Sequence, residues 1–447
     1  SILAQACGFA LREGRTMPAT VDSDAMGGSA GVKWRRRRRV LVVAVISRVV
    51  TCALMVLSEL IWPDWLRHDD PTVARFSAPM GLRAFAQWDA ARFLLIAQNG
   101  YSDEQSHAFQ PALPFLLRFL APAWGQGAGL ILVGIAITNL TFVASALALF
   151  ELGRCTGLDP GLAELAVVLF CVGPASVFHS SVYTESPFAL CTFGGILLLR
   201  HGKRWASALV FAVGTCLRSN GVINAGFLMY DALPRCLSRK HGVRLGGLLV
   251  GTFSSAVVLL PYVAFEAYGY VKFCKADDSG RAEALPSWCK EWPPSLYGHV
   301  QKVYWGNGFM AFWQLKQLPQ FIRAAPALIL ALVGAWAYFD HWRALGIRRL
   351  VVCAMTLEKK GNRAAAGGVF GFALLPHVVQ TTLLAMFALF FMNVQVTARF
   401  LSAASPSFHW WVAYAAQQPH LKAKVHGYLV LDFAIGLLLH PNALPWT

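Results

Sequence analysis

The chain has 447 residues, of which 56% are hydrophobic and 14% are charged, and its mean hydropathy is +0.49. This composition excludes an ordinary water-soluble globular protein. The formal net charge of +16 does not require a nucleic-acid partner, because Lys and Arg collect at the cytosolic ends of membrane helices.

Several apolar runs are long enough to cross a bilayer, which takes about 20 residues. The clearest, 128–150, 245–265 and 367–392, contain no Asp, Glu, Lys or Arg. Weaker candidates lie at 40–61, 162–178, 186–199, 205–231, 326–339 and 425–440. Because the alternating pattern of outward-facing strands is absent from the sequence, we predict an all-α polytopic membrane protein with roughly 8–10 transmembrane helices.

The N-terminal region indicates the orientation of the chain. Residues 1–34 lack a helical or strand pattern and are predicted to be a disordered tail, with Met17 as a candidate natural start. The membrane domain is predicted to span 35–447. It begins with the arginine run 35–39, which directly precedes the first apolar run. The positive-inside rule therefore places the N-terminus in the cytosol.

The later clusters of Lys and Arg can all face the cytosol in this orientation if the chain enters the membrane and turns back at a break near 219–221. The loops 63–112 and 267–325 then lie on the opposite face of the membrane. Residues 183–185 and Arg399 join them there. This convergence of polar, non-basic segments is typical of a membrane enzyme whose active site faces away from the cytosol.

Asp89 lies in the most polar of these loops. Residues 82–98 are predicted to form one amphipathic helix, because apolar residues recur at helical spacing. Asp89 falls on the apolar face of that helix. Burying a carboxylate there costs free energy unless a charged partner or a water-filled site stabilises it. An ordinary ion pair with Arg92, three residues later, is the alternative.

The sequence offers candidates for two further kinds of site, a disulfide and a metal site. Cys274 and Cys289 fall in the loop 267–325 and either form a disulfide in an oxidising compartment or remain free thiols. Asp89 and Glu104 are candidate ligands for a divalent cation, but the loop has no DxD motif and the sequence contains no His/Cys cluster with metal-ligand spacing. We therefore predict no metal site.

Six stretches match, in chain order, the pattern of one protein family. They read WDAARFLLIAQNGYSDEQSHAFQPALP, PASVFHSSVYTESPFAL, LRSNGVINAGF, WCKEWPPSLYGHVQKVYWGNGF, NVQVTARFLSAASPSFHWW and the terminal PWT. In these stretches the chain resembles the GPI mannosyltransferase 2 (PIG-V) family, from about residue 35 to the C-terminus. It departs from the family at Gln110, where Phe is usual, and at Gly306, which interrupts a YWN motif. The stretch 343–367 resembles nothing known and is interpreted as a divergent insertion or a gene-model error.

The resemblance implies a GT-C-type glycosyltransferase of the endoplasmic reticulum membrane, with its active site in lumenal loops. Such enzymes take mannose from the lipid-linked donor dolichyl-phosphate mannose, and for this chain we predict no cofactor besides that donor. The implied acceptor is a GPI-anchor precursor, to which the second mannose is added in α-1,6 linkage. An accessory membrane subunit is compatible with the resemblance.

The resemblance also implies that Asp89 is the acidic residue found in the first lumenal loop of these enzymes. Inversion at the sugar carbon needs a base near the attacking hydroxyl, so we expect Asp89 to act as that base or to position the hydroxyl. Glu104 and His107 are the alternative acid/base residues and line the sugar pocket together with Gln105. A simple loop hydrogen bond is the alternative role for His107.

The departing phosphate needs cationic donors, and Arg218 and Arg399 are the candidates because arginine binds phosphate oxygens bidentately. Each could instead extend from a helix end to the membrane interface. Glu185 is expected to bind acceptor hydroxyls or, alternatively, to be a helix N-terminal carboxylate. The remaining predicted substrate-binding residues are Trp88, Asn220, Gln301, Tyr304 and Trp305. An interfacial aromatic belt is the alternative for Tyr304 and Trp305.

Two other functions were weighed. A GT-C transferase acting on protein or on an N-glycan precursor would share the loop carboxylate but should lack the SHAFQP and QxxYW patterns. A lipid scramblase or transporter would explain the many spans but not a polar loop built around Asp89.

Overall fold

The computed structural model describes residues 29–62, 76, 78–121, 127–238, 242–243, 245–274, 286–356 and 368–444. Its α-helices are α1 Ser29–Ile61, α2 Asp89–Asn99, α3 Ala112–Leu120, α4 Ala128–Cys155, α5 Pro160–Cys171, α6 Glu185–Arg200, α7 Arg204–Leu217, α8 Ala225–Cys236, α9 Leu245–Cys274, α10 Leu296–Val303, α11 Leu318–Leu345, α12 Ile347–Thr356, α13 Leu375–Phe391, α14 Thr397–Ala404, α15 Pro406–Gln417 and α16 Pro419–Leu439. Short 3-10 helices lie at Arg83–Phe85, Glu104–Ala108, Ser219–Asn224, Ser287–Lys290, Leu315–Gln317, Phe372–Leu374 and Val394–Val396. Strands β1 Leu237–Ser238 and β2 Gly242–Val243 form a small antiparallel ladder, with Leu237 opposite Val243.

The chain is an all-α polytopic membrane protein. Among the described residues, 5 helices are long and apolar enough to cross a membrane: Trp34–Ile61, Ala128–Cys155, Leu245–Cys274, Leu315–Leu345 and Phe372–Phe391. The 28 residues of α4 span about 42 Å at 1.5 Å per residue, which exceeds the hydrocarbon thickness of about 30 Å. The predicted runs 128–150 and 245–265 lie within two of these helices, and the run 367–392 contains the helix Phe372–Phe391, with its residue 367 outside the described ranges.

The other predicted runs are helical as well. The runs 40–61 and 326–339 lie within two of the five long helices. The run 162–178 overlaps the shorter apolar helix α5 and is helical only as far as Cys171. The run 205–231 overlaps α7 and is interrupted by the expected break at 219–221. Most of the predicted tail, 1–28, lies outside the described residues, while α1 already includes residues 29–34.

Close packing of α4, α6 and α7 forms the centre of the structure. Small residues permit this approach, as is usual between membrane helices. At Gly134 of α4, an added Cβ would come within 2.6 Å of the Val182 side chain. Gly195 of α6 similarly faces the ring of Phe211 on α7. These contacts fix the start of α6, at Glu185, relative to α4 and α7.

One end of the bundle collects the basic residues. Arg36 in α1 pairs with Glu164 in α5 at 2.9 Å, and Arg37 pairs with Glu151 near the end of α4. Arg200, at the end of α6, donates a hydrogen bond to the Cys155 carbonyl at 3.4 Å. This basic end therefore gathers helix termini that the charge pattern assigns to one side of the membrane.

The other end gathers the polar loops. Near the end of α1, the carboxylate of Glu59 accepts hydrogen bonds from the backbone amides of Gly81 and Ala84 at 2.8 and 3.0 Å. Asn442, after α16, donates to Ser58 at 3.1 Å. Both contacts tie neighbouring segments to the same end of α1. The described parts of the loops 63–112 and 267–325 also meet there, as detailed below.

Candidate active site

Four ionisable side chains form a continuous ion-pair network at the polar-loop end. The guanidinium of Arg399 donates a hydrogen bond to Asp89, with 2.8 Å between Nη1 and Oδ2. The same Nη1 lies 3.7 Å from Oε1 of Glu185. Nη1 of Arg218 lies 2.6 Å from that Oε1. Glu185 therefore contacts two guanidinium groups, and one of these also holds Asp89.

The members of the network come from four different segments. Asp89 is the first residue of α2, and Glu185 is the first residue of α6. Both carboxylates thus lie at helix N-termini, where the helix dipole favours negative charge. Arg218 is extended between α7 and the following 3-10 helix, and Arg399 lies in α14. The fold brings together the predicted base, both predicted phosphate-binding arginines and the predicted acceptor-binding acid.

Burial makes this network electrostatically strong. The Glu185 side chain is fully buried and that of Arg399 is 15% exposed, whereas Asp89 remains 26% exposed. A buried charge is stable only when it is paired. Burial alone would lower the pKa of Arg399, but the carboxylates of Asp89 and Glu185 outweigh it and raise that pKa above its ordinary value. The guanidinium therefore stays protonated, while Asp89 keeps access to the outside of the network.

The predicted helix over 82–98 is wrong in its first half. The chain forms a 3-10 turn at Arg83–Phe85 and then breaks at Trp88, whose φ of 60° is rare for a residue with a side chain. The hydroxyl of Tyr183 stabilises the break, since it accepts from the Asp89 amide at 3.2 Å and donates to the Gln87 carbonyl at 3.3 Å. Asp89 consequently starts a helix and pairs with Arg399, and the pairing with Arg92 is not observed.

Tyr183 is a site residue that the sequence analysis did not single out. Its side chain is 1% exposed, and burial raises the pKa of its phenol well above the ordinary value. The hydroxyl is therefore protonated and can hold both sides of the Trp88 break. The position of Tyr183 two residues before Glu185 was the only signal in the sequence, because its partners lie about 95 residues away along the chain.

One member of the network and two residues close to its members in sequence carry polar atoms without a partner. Within the described part of the chain, Nε of Arg399 and Nδ2 of Asn220 are buried and have no hydrogen-bond partner. The side-chain carbonyl oxygen of Gln87 is also buried and has no hydrogen-bond partner among the described residues. Buried polar groups are nearly always satisfied, so unpaired donors and acceptors beside an ion network are typical of a site that receives a polar ligand.

The other two predicted acid/base residues have different surroundings. Glu104 accepts a hydrogen bond from the indole of Trp288 at 3.0 Å and lies 3.8 Å from His299. His107 is fully buried, stacks on the Phe265 ring at 4.0 Å and donates through Nε2 to the Phe265 carbonyl at 3.1 Å. Burial lowers the pKa of His107 below its ordinary value. The contacts of Glu104 connect the two polar loops, whereas His107 is hydrogen-bonded to α9, as in the simple hydrogen-bonding alternative for this residue.

The remaining predicted substrate-binding residues are spread along the loops. Gln301 accepts from Asn307 at 2.6 Å and so closes the turn that contains Gly306. Trp305 packs near Phe109 at 6.3 Å between ring centroids, and its indole nitrogen is buried without a partner among the described residues. Trp88 and Tyr304 are 38% and 48% exposed, and Gln105 is partly buried. The recorded contacts of Gln301, Trp305 and Tyr304 do not join them to the ion network.

The second polar loop is anchored beside the network. Cys274 and Cys289 form a disulfide, with 5.6 Å between their Cα atoms, so the first of the two alternatives for this pair is confirmed. Further along, the Tyr297 hydroxyl accepts a hydrogen bond from Ser219, the neighbour of Arg218, at 2.7 Å. The disulfide-bonded segment thereby supports the backbone that presents Arg218.

No cluster of three or more His, Cys, Asp or Glu side chains suited to a metal occurs within the described ranges. Asp89 and Glu104 have separate recorded partners, namely Arg399 and Trp288. Pairing with an arginine disfavours the binding of a metal cation to the same carboxylate, because the arginine already supplies the balancing positive charge.

Comparison with known proteins assigns the family. The profile of the family described as Mannosyltransferase (PIG-V) matches residues 37–446. GPI alpha-1,6-mannosyltransferase 2 of Homo sapiens is 31% identical over an alignment that covers 92% of this chain and 99% of that protein. GPI mannosyltransferase 2 of Cryptococcus neoformans is 33% identical over 68% of this chain and 73% of that protein. A solved oligosaccharyltransferase of Archaeoglobus fulgidus aligns over 92% of this chain and 55% of its own at 12% identity and a TM-score of 0.39, and the assignment does not depend on it. The chain belongs to the PIG-V family of mannosyltransferases.

Proposed function

We propose that this mannosyltransferase transfers mannose from dolichyl-phosphate mannose to the first mannose of a GPI-anchor precursor, in α-1,6 linkage, on the lumenal side of the endoplasmic reticulum membrane. The named relatives support the linkage and the acceptor. Family membership favours a transferase over the scramblase or transporter alternative. The disulfide at Cys274 and Cys289 supports an oxidising compartment for the polar-loop end.

The observation that carries the mechanism is the network of Asp89, Arg399, Glu185 and Arg218. At the end of the bundle where the polar loops meet, it places a partly exposed carboxylate, Asp89, next to the guanidinium of Arg399, which Glu185 links to that of Arg218. A sugar–phosphate substrate needs such a pair of functions. Arginines hold and stabilise the departing phosphate, and a carboxylate accepts the proton of the attacking hydroxyl.

The reaction is a single displacement. The acceptor hydroxyl oxygen forms a bond to the anomeric carbon of mannose, and the bond from that carbon to the phosphate oxygen breaks. The electron pair leaves with dolichyl phosphate, and the hydroxyl proton passes to Asp89. The phosphate gains one negative charge as Asp89 loses one, so the total charge facing Arg218 and Arg399 stays constant through the transfer. Little electrostatic reorganisation is then required.

Donor binding would also release the base. In the present arrangement Arg399 is shared between Asp89 and Glu185. A bound phosphate competes for that guanidinium and for the unpaired Nε of the same residue, which weakens the hold on Asp89. Glu185 remains between the arginines and keeps both oriented. In this proposal Glu104 joins the two polar loops and His107 joins the first loop to α9, and neither transfers the proton.

Complementation tests the function. The chain is expressed in cells that lack their second GPI mannosyltransferase, and the accumulated GPI precursors are analysed. Conversion of the one-mannose precursor to later intermediates is expected for wild type and is expected to be lost in Asp89→Asn at equal protein level. Failure of a well-expressed wild type would contradict the proposed acceptor.

The matched control is Asp159→Asn. Asp159 caps α5 by accepting from the amides of Gly161 and Leu162, and Asn caps helices about as well as Asp. This variant makes the same chemical change outside the network and should retain conversion. Loss of conversion in both variants would show that the Asp89 result reflects general damage to the protein.

A further inference from the structure

A groove at the basic end of the bundle lies outside the network of Asp89 and Arg399. It is formed between α1, α4 and α6 and has a volume of about 640 Å³. Its lining residues are Trp34, Arg37, Arg38, Leu41, Leu147, Ala148, Glu151 and Leu197. The volume is in the range of ligand pockets, which hold about 300–1,000 Å³.

The groove has a charged rim and an apolar wall. Residues 34, 37, 38 and 41 follow the spacing of a single helix face, so α1 presents an indole and two guanidinium groups followed by Leu41. The guanidinium carbon of Arg38 lies 5.6 Å from the centre of the Trp34 ring. Leu147 of α4 and Leu197 of α6 line the deeper part. An amphipathic ligand with an anionic head matches this division.

The charge balance of the rim is positive. Glu151 is the acidic member, and it is already paired with Arg37 and lies 3.6 Å from Arg154. Within the described residues Arg38 forms no ion pair, and its recorded contact is with the Trp34 ring. A ligand entering the groove therefore meets an uncompensated guanidinium at the rim.

We propose that this groove binds an anionic glycerophospholipid of the surrounding membrane. Its headgroup phosphate would contact Arg38 at the rim, and an acyl chain would lie against Leu41, Leu147 and Leu197. Basic side chains directly before a transmembrane segment attract anionic lipids. A free phosphate would make no use of the apolar wall, and a zwitterionic lipid carries a cation that opposes the arginines.

Native mass spectrometry of the purified full chain tests the headgroup contact, with phosphatidylserine and phosphatidylcholine as probes. Arg38→Gln should reduce bound phosphatidylserine about fivefold, as expected for one basic residue near an anionic lipid. Arg39→Gln is the control, since Arg39 is adjacent, is 71% exposed in its side chain and lies 3.9 Å from Glu164 outside the groove. Equal loss in both variants, or equal binding of the two lipids by wild type, would overturn the proposal.

A second pair of variants tests the apolar wall. Leu147→Trp fills the groove and should displace phosphatidylserine, whereas Leu140→Trp, two turns earlier on the same face of α4, should not. Leu140 is 71% exposed and does not line the groove. Unchanged lipid binding in a folded Leu147→Trp protein would contradict acyl-chain binding there. Because both pairs of variants read out lipid rather than mannose transfer, they do not depend on the proposed mechanism.

Discussion

The guanidinium of Arg399 donates a hydrogen bond to Asp89 at 2.8 Å, although 310 residues separate the two along the chain. The contact joins the first polar loop to a short helix in the last part of the bundle. It also means that the proposed base is restrained by one of the proposed phosphate-binding groups. Binding of donor and availability of the base are coupled through this one side chain.

Arg399→Lys should slow mannose transfer by roughly 10- to 100-fold, the effect of losing a hydrogen bond to a charged group worth about 1.5–3 kcal/mol. Lysine keeps the charge but lacks the planar fork, in which Nη1 holds Asp89 while Nε of the same guanidinium, which has no partner among the described residues, is still free for the donor phosphate. The measurement is the transfer rate in microsomes with dolichyl-phosphate mannose and a one-mannose acceptor. Arg343→Lys is the control, because Arg343 is 77% exposed and pairs with Asp340 outside the site. Wild-type rates in Arg399→Lys would show that the fork is not needed.

Tyr183→Phe should lower kcat about tenfold, the effect of losing one net hydrogen bond, and leave KM nearly unchanged. The change removes the hydroxyl that binds the backbone on both sides of Trp88, so Asp89 is less well oriented. Tyr338→Phe is the matched control, since its buried hydroxyl donates to the Gly371 carbonyl at 3.2 Å near the basic end. Both variants should lose similar stability. An equal fall of kcat in both would assign the effect of Tyr183 to stability alone.

Replacing Cys274 and Cys289 together by Ser should destabilise the segment that supports Arg218. The bond closes a loop with a sequence separation of 15, for which the expected loss is at most about 3 kcal/mol. The thermal midpoint of the purified protein should fall, and reductant should lower the wild-type midpoint in the same way. Cys155→Ser removes a free thiol and keeps the disulfide, so its midpoint should equal that of wild type and should still fall with reductant. A wild-type midpoint that reductant does not change would contradict a structural role for the disulfide.

The sequence predicted, for a physical reason, that the members of the ion network lie at one end of the bundle, although it did not predict their pairing. Basic residues mark one side of a membrane helix bundle, so the polar segments around Asp89, Glu185 and Arg399 had to share the other side. The break after Arg218 was also visible, because Ser-Asn-Gly interrupts an apolar run. Charge and turn residues are signals that a single sequence carries directly.

The details that depend on distant partners were not predictable in this way. Apolar spacing around Asp89 indicates a continuous helix, and the break at Trp88 is stabilised by Tyr183, which no local pattern reveals. Glu104 has the side chain of an acid/base candidate, but its hydrogen-bond partner Trp288 lies 184 residues away along the chain. The sequence of a segment shows which residue types it carries. Only the folded chain shows which of those residues contact each other.

The most direct test of the mechanism is the single-turnover rate of Asp89→Asn, measured with dolichyl-phosphate mannose and a one-mannose GPI acceptor. Asn keeps the size of Asp and a hydrogen-bond acceptor for Arg399 but cannot take the proton. We predict a rate at least about 100-fold below wild type, the usual contribution of a general base, with donor binding and thermal stability retained. A rate equal to that of wild type would contradict the assignment of Asp89 as the base.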